Sequence, residues 1–336
     1  SRETRLVFMT EGVLLRQLQD QANLKDVGVL ILDEFHERTL YSDVILGLVK
    51  RLQETTRPDL NLIVMSATLD VAPIAAFLEG REGGKATRVL EADGRTFPVE
   101  IRYAARQDPR RVSERAAEQI VEIGRSTSEG DILVFMPGMG DINATMRQLS
   151  DRRLGQEFEV MPLHGELPVE QQDRVFKATQ RRKVIIATNV AESSITIQGV
   201  LFVVDSGLAR VARFDAETGL NSLEIEEISQ ASADQRSGRA GRTAPGICYR
   251  LWTESGQLNR LPQTTPEVQR TELSEIVLQL HALGIRRAES FDWLDAPNVL
   301  AVRQAEDLLS LLGAFSKDTN GEEHLSDIGR RMLRLP

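Results

Sequence analysis

The sequence predicts two parallel-sheet α/β domains in tandem, followed by a mostly helical segment. Three observations carry that expectation. Apolar runs of strand length end on polar residues, and amphipathic stretches of helical period separate them. The layout occurs twice, on either side of the break Gly80-Arg81-Glu82-Gly83-Gly84 and the extended connector Gly94-Arg95-Thr96-Phe97-Pro98-Val99. Beyond Pro266 the apolar spacing is helical and strand patterns are few. A chain of 336 residues has room for two or three domains.

In chain order, Leu6-Val7-Phe8-Met9 reads as a short strand, and Val13, Leu14, Leu15 and Leu18 follow at helical spacing. The run Val27-Gly28-Val29-Leu30-Ile31-Leu32 reads as a strand buried on both faces, and it ends on the adjacent carboxylates Asp33 and Glu34. A helix over 41–52 precedes the strand Leu62-Ile63-Val64-Met65, which ends on Ser66-Ala67-Thr68. In the second series a helix over 112–125 leads to the strand Ile132-Leu133-Val134-Phe135, and a further helix to a short strand over 159–164. Val184-Ile185-Ile186-Ala187 ends on Thr188-Asn189, and Val200-Leu201-Phe202-Val203-Val204 on Asp205. Residues 209–228 alternate about the turn Glu217-Thr218-Gly219 and read as a β-hairpin with an acidic outer face. Leu273, Ile276, Val277, Leu280 and Leu283 form one helical face that stops at Gly284, and 301–312 form another that stops at Gly313. Leu325-Ser326-Asp327-Ile328-Gly329 opens a last helix. The expected domains are 1–93, 94–262 and 263–336.

Composition narrows the class. With 41% apolar and 27% charged residues the chain is globular, and a net charge of −9 argues against a generally basic nucleic-acid binder. It leaves room for local phosphate contacts. No run of eighteen apolar residues is present, so no membrane partner is expected. The single cysteine, Cys248, cannot form an internal disulfide and fits a reducing compartment.

Two stretches carry chemistry. In a parallel sheet the carboxyl ends of strands face the ligand crevice, which is where Asp33 and Glu34 arrive. One such carboxylate can hold the Mg²⁺ that bridges nucleotide phosphates, and its neighbour can orient or deprotonate a water. An ordinary polar strand end is the competing explanation. The second stretch is Gln235-Arg236-Ser237-Gly238-Arg239-Ala240-Gly241-Arg242. Arg239 and Arg242 are three apart and project from one face of a helical turn, while Gly238, Ala240 and Gly241 keep that face low enough for a bulky anion. Arginine stays charged and binds phosphate oxygens bidentately. An Arg/Gly-rich surface loop, or a nucleic-acid backbone contact without catalysis, remains open.

These stretches fall into an ordered set. Asp33-Glu34-Phe35-His36, Ser66-Ala67-Thr68, the run from Thr188-Asn189 through Val190-Ala191-Glu192-Ser193-Ser194-Ile195 to Thr196, and the Gln235–Arg242 run follow one another as in DEAH/RHA-type superfamily 2 ATP-dependent RNA helicases. The Asp-Glu-Phe-His variant resembles the bacterial HrpB-like branch most. Thr10-Glu11-Gly12, Leu133-Val134-Phe135-Met136-Pro137-Gly138, Pro266-Glu267-Val268-Gln269-Arg270-Thr271 and Leu311-Leu312-Gly313-Ala314-Phe315 resemble further motifs, the last two in a winged-helix part. The resemblance covers essentially the whole chain. It implies two RecA-like domains, the first truncated, and an incomplete winged helix.

The resemblance also implies the roles. Asp33 would hold Mg²⁺ through water, Glu34 would activate the attacking water, and His36 would couple that site to Gln235. Arg239 and Arg242 would be arginine fingers on the γ-phosphate of ATP. Thr196 would lie near the nucleotide, as would Gln198. Ser66 and Thr68 would link hydrolysis to domain movement. Thr10, Gly12, Thr188 and Asn189 would touch the backbone of single-stranded or structured RNA, with DNA possible, and the hairpin would lie near the duplex junction. A cytoplasmic location is expected. Lone histidines are often structural, and that reading stands for His164, His281 and His324.

The sequence departs from the family pattern in two places. Gln198 stands where the family commonly has an acidic residue, which puts one ribose-side contact in doubt. No Gly-x-x-x-x-Gly-Lys-Ser/Thr precedes Asp33, and Gly83-Gly84-Lys85-Ala86-Thr87 lies downstream, so Lys85 reads as a solvated loop residue. The chain is therefore expected to begin after its phosphate loop and to hydrolyse ATP poorly alone. A non-catalytic RNA-binding adaptor derived from a helicase, or a DNA translocase, are the rival functions.

Overall fold

The computed structural model describes residues 4–20, 23–67, 71–79, 87–92, 94, 97–152, 157–192, 196–317 and 323–335. Helix α1 (Glu11–Asp20) leads to strand β1 (Val29–Leu32), helix α2 (Leu40–Glu54), strand β2 (Asn61–Val64) and helix α3 (Val71–Glu79). β1 and β2 pair in parallel, Leu30 opposite Leu62 and Leu32 opposite Val64. Those four side chains face the core, and α1 and α2 supply its other wall through Leu14, Leu15, Leu18, Val44, Ile45 and Val49. Thr39 caps α2, its side chain accepting from the Ser42 N–H.

The expectation of a strand buried on both faces is corrected here. Val29 is 51% exposed and Ile31 45%, with Ile63 and Met65 open on the same face. Helices cover one face of this two-stranded sheet, and no layer covers the other among the described residues, so the period-2 alternation splits each strand into a wet and a dry side. Residues 6–9 form no strand either. Phe8 is 90% exposed, and an extended run becomes a strand only where a ladder partner exists.

The second sheet is larger than the four strands read from the sequence. Strands β3 (Val99–Tyr103), β4 (Asp131–Phe135), β5 (Phe158–Leu163), β6 (Arg182–Ala187), β7 (Val200–Asp205) and β10 (Gly246–Arg250) are ordered β3-β10-β7-β4-β6-β5, all parallel. β10 escapes a sequence reading because Gly246-Ile247-Cys248-Tyr249-Arg250 lacks an apolar run. It becomes a strand because β3 pairs along its whole length and β7 along Ile247–Arg250. Helices α4 (Val112–Ser126), α5 (Met139–Asp151) and the short α6 (Val169–Gln172) connect these strands. Ile132, Val134, Ile186 and Val204 face one apolar layer, with Ala117, Ile120 and Ile142 from α4 and α5. Leu133, Phe135, Ile185, Val203 and Cys248 face the other.

β8 (Leu208–Asp215) and β9 (Leu220–Glu227) form the expected hairpin, with Leu223 and Ile225 of β9 exposed. Helix α7 (Gln230–Ser237) follows, then α8 (Glu254–Leu258) after β10. The last part holds α9 (Ser274–Ala282), α10 (Val299–Leu311), an antiparallel pair β11 (Phe315–Lys317) and β12 (Glu323–Leu325), and α11 (Asp327–Met332). Gly284 (φ +78°) and Gly313 (φ +73°) end α9 and α10 in the left-handed conformation that glycine adopts without steric cost.

Grouped by contacts, the described chain forms two compact units. One comprises 1–90, 212–222 and 265–336, and the other 91–211 and 223–264. In the first unit the helical end shares one core with the beginning of the chain. Leu273, Ile276, Val277, Ala301 and Leu309 join the cluster that holds Phe35, Ile45 and Leu46. α2 approaches this region so closely that a Cβ on Gly47 would lie 2.5 Å from the Asp292 carbonyl oxygen. Among the described residues no helix is long and apolar enough to cross a membrane.

Candidate functional site

In the first unit the chain turns sharply as it leaves β1. Asp33 Oδ1 accepts the Glu34 N–H at 2.8 Å, and the Phe35 N–H reaches across to the Met65 carbonyl at 3.0 Å. Glu34 sits in the left-handed region (φ +52°, ψ +33°), as does Arg38 (φ +48°), with a single 3₁₀ turn, Phe35–Glu37, between them. Left-handed backbone at two non-glycine residues costs energy and clusters at functional sites. Here it turns the exposed Asp33 and the half-exposed Glu34 outward while Phe35 is buried.

His36 organises this turn. The Ala67 N–H donates to its Nδ1 at 3.5 Å, so the ring proton belongs on Nε2, which lies 3.3 Å from Glu34 Oε2. The second carboxylate is thus held by a histidine that is itself oriented by the Ser66-Ala67 backbone. Asp33, Glu34, His36 and Ser66 come together, and Ser66 is exposed. Thr68 lies outside the described residues. Asp33 offers hard oxygen donors at a strand end, and among the described residues no group of three or more His, Cys, Asp or Glu could hold a metal ion. That donor set fits an ion such as Mg²⁺, which keeps most of its shell as water and phosphate oxygen.

Thr10 and Gly12 are exposed at the start of α1, where the Thr10 carbonyl accepts the Val13 and Leu14 N–H groups. Between them Glu11 Oε2 accepts from Thr39 Oγ1 at 2.7 Å, which ties this stretch to the first residues of α2. Burial pushes the Glu11 carboxyl above its ordinary range, against the Thr39 hydrogen bond.

The second unit places the other residues on the segment between the carboxyl end of β6 and the start of β7, and on α7 and the run that follows it. The chain leaves β6 through Thr188, whose N–H bonds the Leu163 carbonyl, and the exposed Asn189, then turns through Ala191 to Glu192. Arg239 and Arg242 line one recess with Leu133, Ala191, Ile197 and Val200. Arg239 is buried and donates to the Glu192 carbonyl, whereas Arg242 is exposed and donates to Thr196 Oγ1. Gln235 lies one turn earlier on α7, half-buried, and Gln198 is exposed. Gln235 and His36 belong to different units.

The expected helical turn carrying both arginines is corrected in part. α7 ends at Ser237, and the chain continues in tighter i→i+3 turns, Arg239 N–H to Arg236 O and Gly241 N–H to Gly238 O. The small residues also differ in purpose. A Cβ on Gly241 would lie 2.5 Å from the Phe97 carbonyl oxygen, and Ala240 is fully buried, so both serve packing. Gly238 alone is open, its nearest neighbour at 3.5 Å.

Sequence reasoning gave no role to Arg236, Glu192 or Asp205, and these form a buried ion network behind the residue on which Arg239 rests. Arg236 has no exposed side-chain surface. Its Nε donates to Glu192 Oε2 at 2.8 Å, its Nη1 to Asp205 Oδ1 at 2.9 Å, and the guanidinium lies 4.8 Å from the Phe135 ring centre. Burial works against its charge, but the Asp205 and Glu192 carboxylates outweigh that and raise its pKa. Ser232 Oγ donates to the other Glu192 oxygen at 2.5 Å. Glu192 is thereby fixed at both carboxylate oxygens while its carbonyl receives Arg239. The available signal was an arginine at an inward position of a helix otherwise built of Ser, Ala, Gln and one Asp.

Residues 1–77 match the family described as DEAD/DEAH box helicase, and residues 114–244 match the helicase conserved C-terminal domain. The chain is 39% identical over 347 residues to a human protein named probable ATP-dependent RNA helicase DHX35, covering 99% of this chain and 48% of that protein. It is 37% identical over 341 residues to an ATP-dependent RNA helicase HrpA homolog of Haemophilus influenzae, covering 100% of this chain and 26% of that protein. A crystal structure of the Escherichia coli DEAH/RHA helicase HrpB is similar at a TM-score of 0.87 and 39% identity, covering 99% of this chain and 41% of that one. The chain thus spans less than half the length of each.

Proposed function

The chain belongs to the DEAH/RHA helicases, in their HrpB-like branch, and from that premise we propose that it carries part of an ATP-dependent RNA helicase. The intact protein would couple nucleotide hydrolysis to movement on single-stranded RNA and to duplex unwinding. Segments 1–93 and 94–262 would serve as the two RecA-like domains and 263–336 as a winged helix.

In this reading Glu34 takes a proton from the attacking water, and His36 Nε2–H orients the carboxylate for that step. Asp33 would hold Mg²⁺, and the ion would supply neutralisation of phosphate charge when bound. Arg242 and Arg239 meet the γ-phosphate, Arg242 directly from its exposed position beside Thr196, with Gln198 near the nucleotide. Gln235 would serve the coupling that the resemblance implies for it. Ser66 and Thr68 pass the state of the site to domain movement. Thr10, Gly12, Thr188 and Asn189 contact the RNA backbone through small side chains and backbone groups, which suits sequence-independent binding. A cytoplasmic location fits the reading, with Cys248 free and buried.

The observation that carries the reading is the arrangement Ala67 N–H to His36 to Glu34, which presents a positioned carboxylate beside Asp33 at a strand end. In the intact protein Glu34→Gln should lower RNA-stimulated ATP hydrolysis by about 10²–10⁴-fold while nucleotide binding persists. Turnover at the parent rate in that variant contradicts the assignment. Measuring stimulation by RNA and DNA in parallel separates the RNA enzyme from a DNA translocase.

A further inference from the structure

The Pro266–Thr271 stretch has no part in the chemistry above, yet it grips the turn that carries Glu34. Pro266 is followed by a 3₁₀ turn, Glu267–Gln269. The Glu267 N–H donates to the Arg38 carbonyl at 3.1 Å, and its Oε2 accepts the Leu40 N–H at 2.9 Å. One residue thereby brackets Thr39, between the left-handed Arg38 and the start of α2, from both sides. Leu40 opens α2, and its N–H has no partner within the helix, so a carboxylate there satisfies an orphan donor and meets the positive end of the helix dipole. The Arg38 side chain is held as well, by both oxygens of Asp43 at 2.8 and 3.0 Å and by Asp295 Oδ2 at 2.6 Å.

The other face of the same stretch holds the tip of the hairpin, residues 212–222, which belongs to the same unit. The Arg270 carbonyl accepts the Phe214 N–H at 2.8 Å, and Arg270 Nη1 donates to the Ala212 carbonyl at 3.1 Å. Its Nε bonds the Thr265 carbonyl at 3.1 Å, and Nη2 lies 3.4 Å from Glu267 Oε1. The two Glu267 oxygens thus face the catalytic turn on one side and the residue that holds the hairpin tip on the other.

We propose that Glu267 is a positioning residue that sets the turn bearing Glu34, and that Arg270 makes this setting depend on the hairpin tip. The proposal rests on the reading of Asp33 and Glu34 as the hydrolytic carboxylates. Glu267 touches no reacting group. Its effect is on the backbone geometry between Glu34 and α2, where a displacement of about 1 Å can cost roughly 10²-fold in rate.

The test measures ATP hydrolysis by the intact protein with and without single-stranded polyuridylate, beside hydrogen exchange of the 35–40 amides. Glu267→Ala should lower kcat by roughly 10–100-fold with the KM for ATP little changed, and should speed exchange at 35–40. Glu267→Gln keeps an oxygen that can accept the Leu40 N–H, and should recover most of the lost rate. Arg270→Ala should shrink the ratio of RNA-stimulated to unstimulated turnover several-fold, and it decides the matter if Glu267→Ala unfolds the protein. Hydrolysis that survives Glu34→Gln removes the carboxylate reading and this proposal with it. Hydrolysis abolished by Glu34→Gln, with the parent kcat in Glu267→Ala and the parent RNA ratio in Arg270→Ala, overturns the clamp alone.

Discussion

Arg236 Nη1 meets Asp205 Oδ1 at 2.9 Å, and neither side chain has any surface exposed to water. Around this pair the second unit fixes several chain segments at once. Asp205 Oδ1 also accepts the Gly207 N–H, Arg236 Nη1 also reaches the Leu208 carbonyl, and Arg236 Nε holds Glu192, the residue on whose carbonyl Arg239 rests. The end of β7, the root of the hairpin and the loop after β6 therefore share one guanidinium.

A buried ion pair is costly to form and costlier to halve, because the survivor is left charged in a dry site. Among the described residues Asp205 Oδ2 and Arg236 Nη2 already have no hydrogen-bond partner, so little remains to compensate a lost neighbour. Asp205→Ala should lower stability by about 3–5 kcal/mol, read by urea unfolding. A loss below about 1 kcal/mol would contradict the role of the pair as the anchor of this edge.

The two glycines of the arginine run should respond oppositely. Gly241→Ala places a methyl group 2.5 Å from the Phe97 carbonyl oxygen and 2.7 Å from Val99 Cγ2, which forces β3 and the Arg242 loop apart. The expected cost is about 1–3 kcal/mol. Gly238 has ordinary helical backbone, and a Cβ there would meet its nearest atom at 3.5 Å without a clash, so Gly238→Ala should stay within about 0.5 kcal/mol of the parent. Thermal melting of both variants checks the pair, and equal effects would refute the packing explanation.

Glu11 gives a pH test with a definite sign. Burial raises its folded-state pKa above the unfolded value, so the folded protein holds that proton more tightly. The contribution to stability is complete below the ordinary glutamate range and is lost as pH rises through the raised value. Glu11→Gln retains an acceptor for Thr39 Oγ1 without the charge. It should raise the melting temperature near pH 7 by roughly 1–3 °C, and the advantage should vanish on acidification. A lower melting temperature at pH 7 would show that the charge stabilises its surroundings.

What the sequence made legible was whatever repeats along the chain. The strands around Ile132, Val184 and Val200, the helices ending at Gly284 and Gly313, and the hairpin about Glu217-Thr218-Gly219 follow from period and punctuation. The charged residues at strand ends and the Arg239–Arg242 spacing likewise marked side chains that lie together within a unit, Glu34 beside Asp33 and Arg242 with Arg239 on one recess. What stayed hidden depends on partners far away in the chain. β10 is a strand because β3 and β7 flank it, and β1 has a wet face because, among the described residues, helices pack on one side only. Arg236 and Glu267 sit inside motifs with no role of their own until folding brings Asp205 and Leu40 to them. His36 was assigned only through resemblance, and its bond from the Ala67 N–H joins residues 31 apart, a relation that no spacing rule reveals.

The most direct measurement is RNA-stimulated ATP hydrolysis by the intact protein carrying Arg242→Ala, with RNA binding followed in parallel. Loss of a guanidinium from the γ-phosphate should remove about 10³–10⁵-fold in turnover and leave RNA affinity near the parent value. Parent-level turnover would contradict Arg242 as a finger and, with it, the helicase reading of the two arginines.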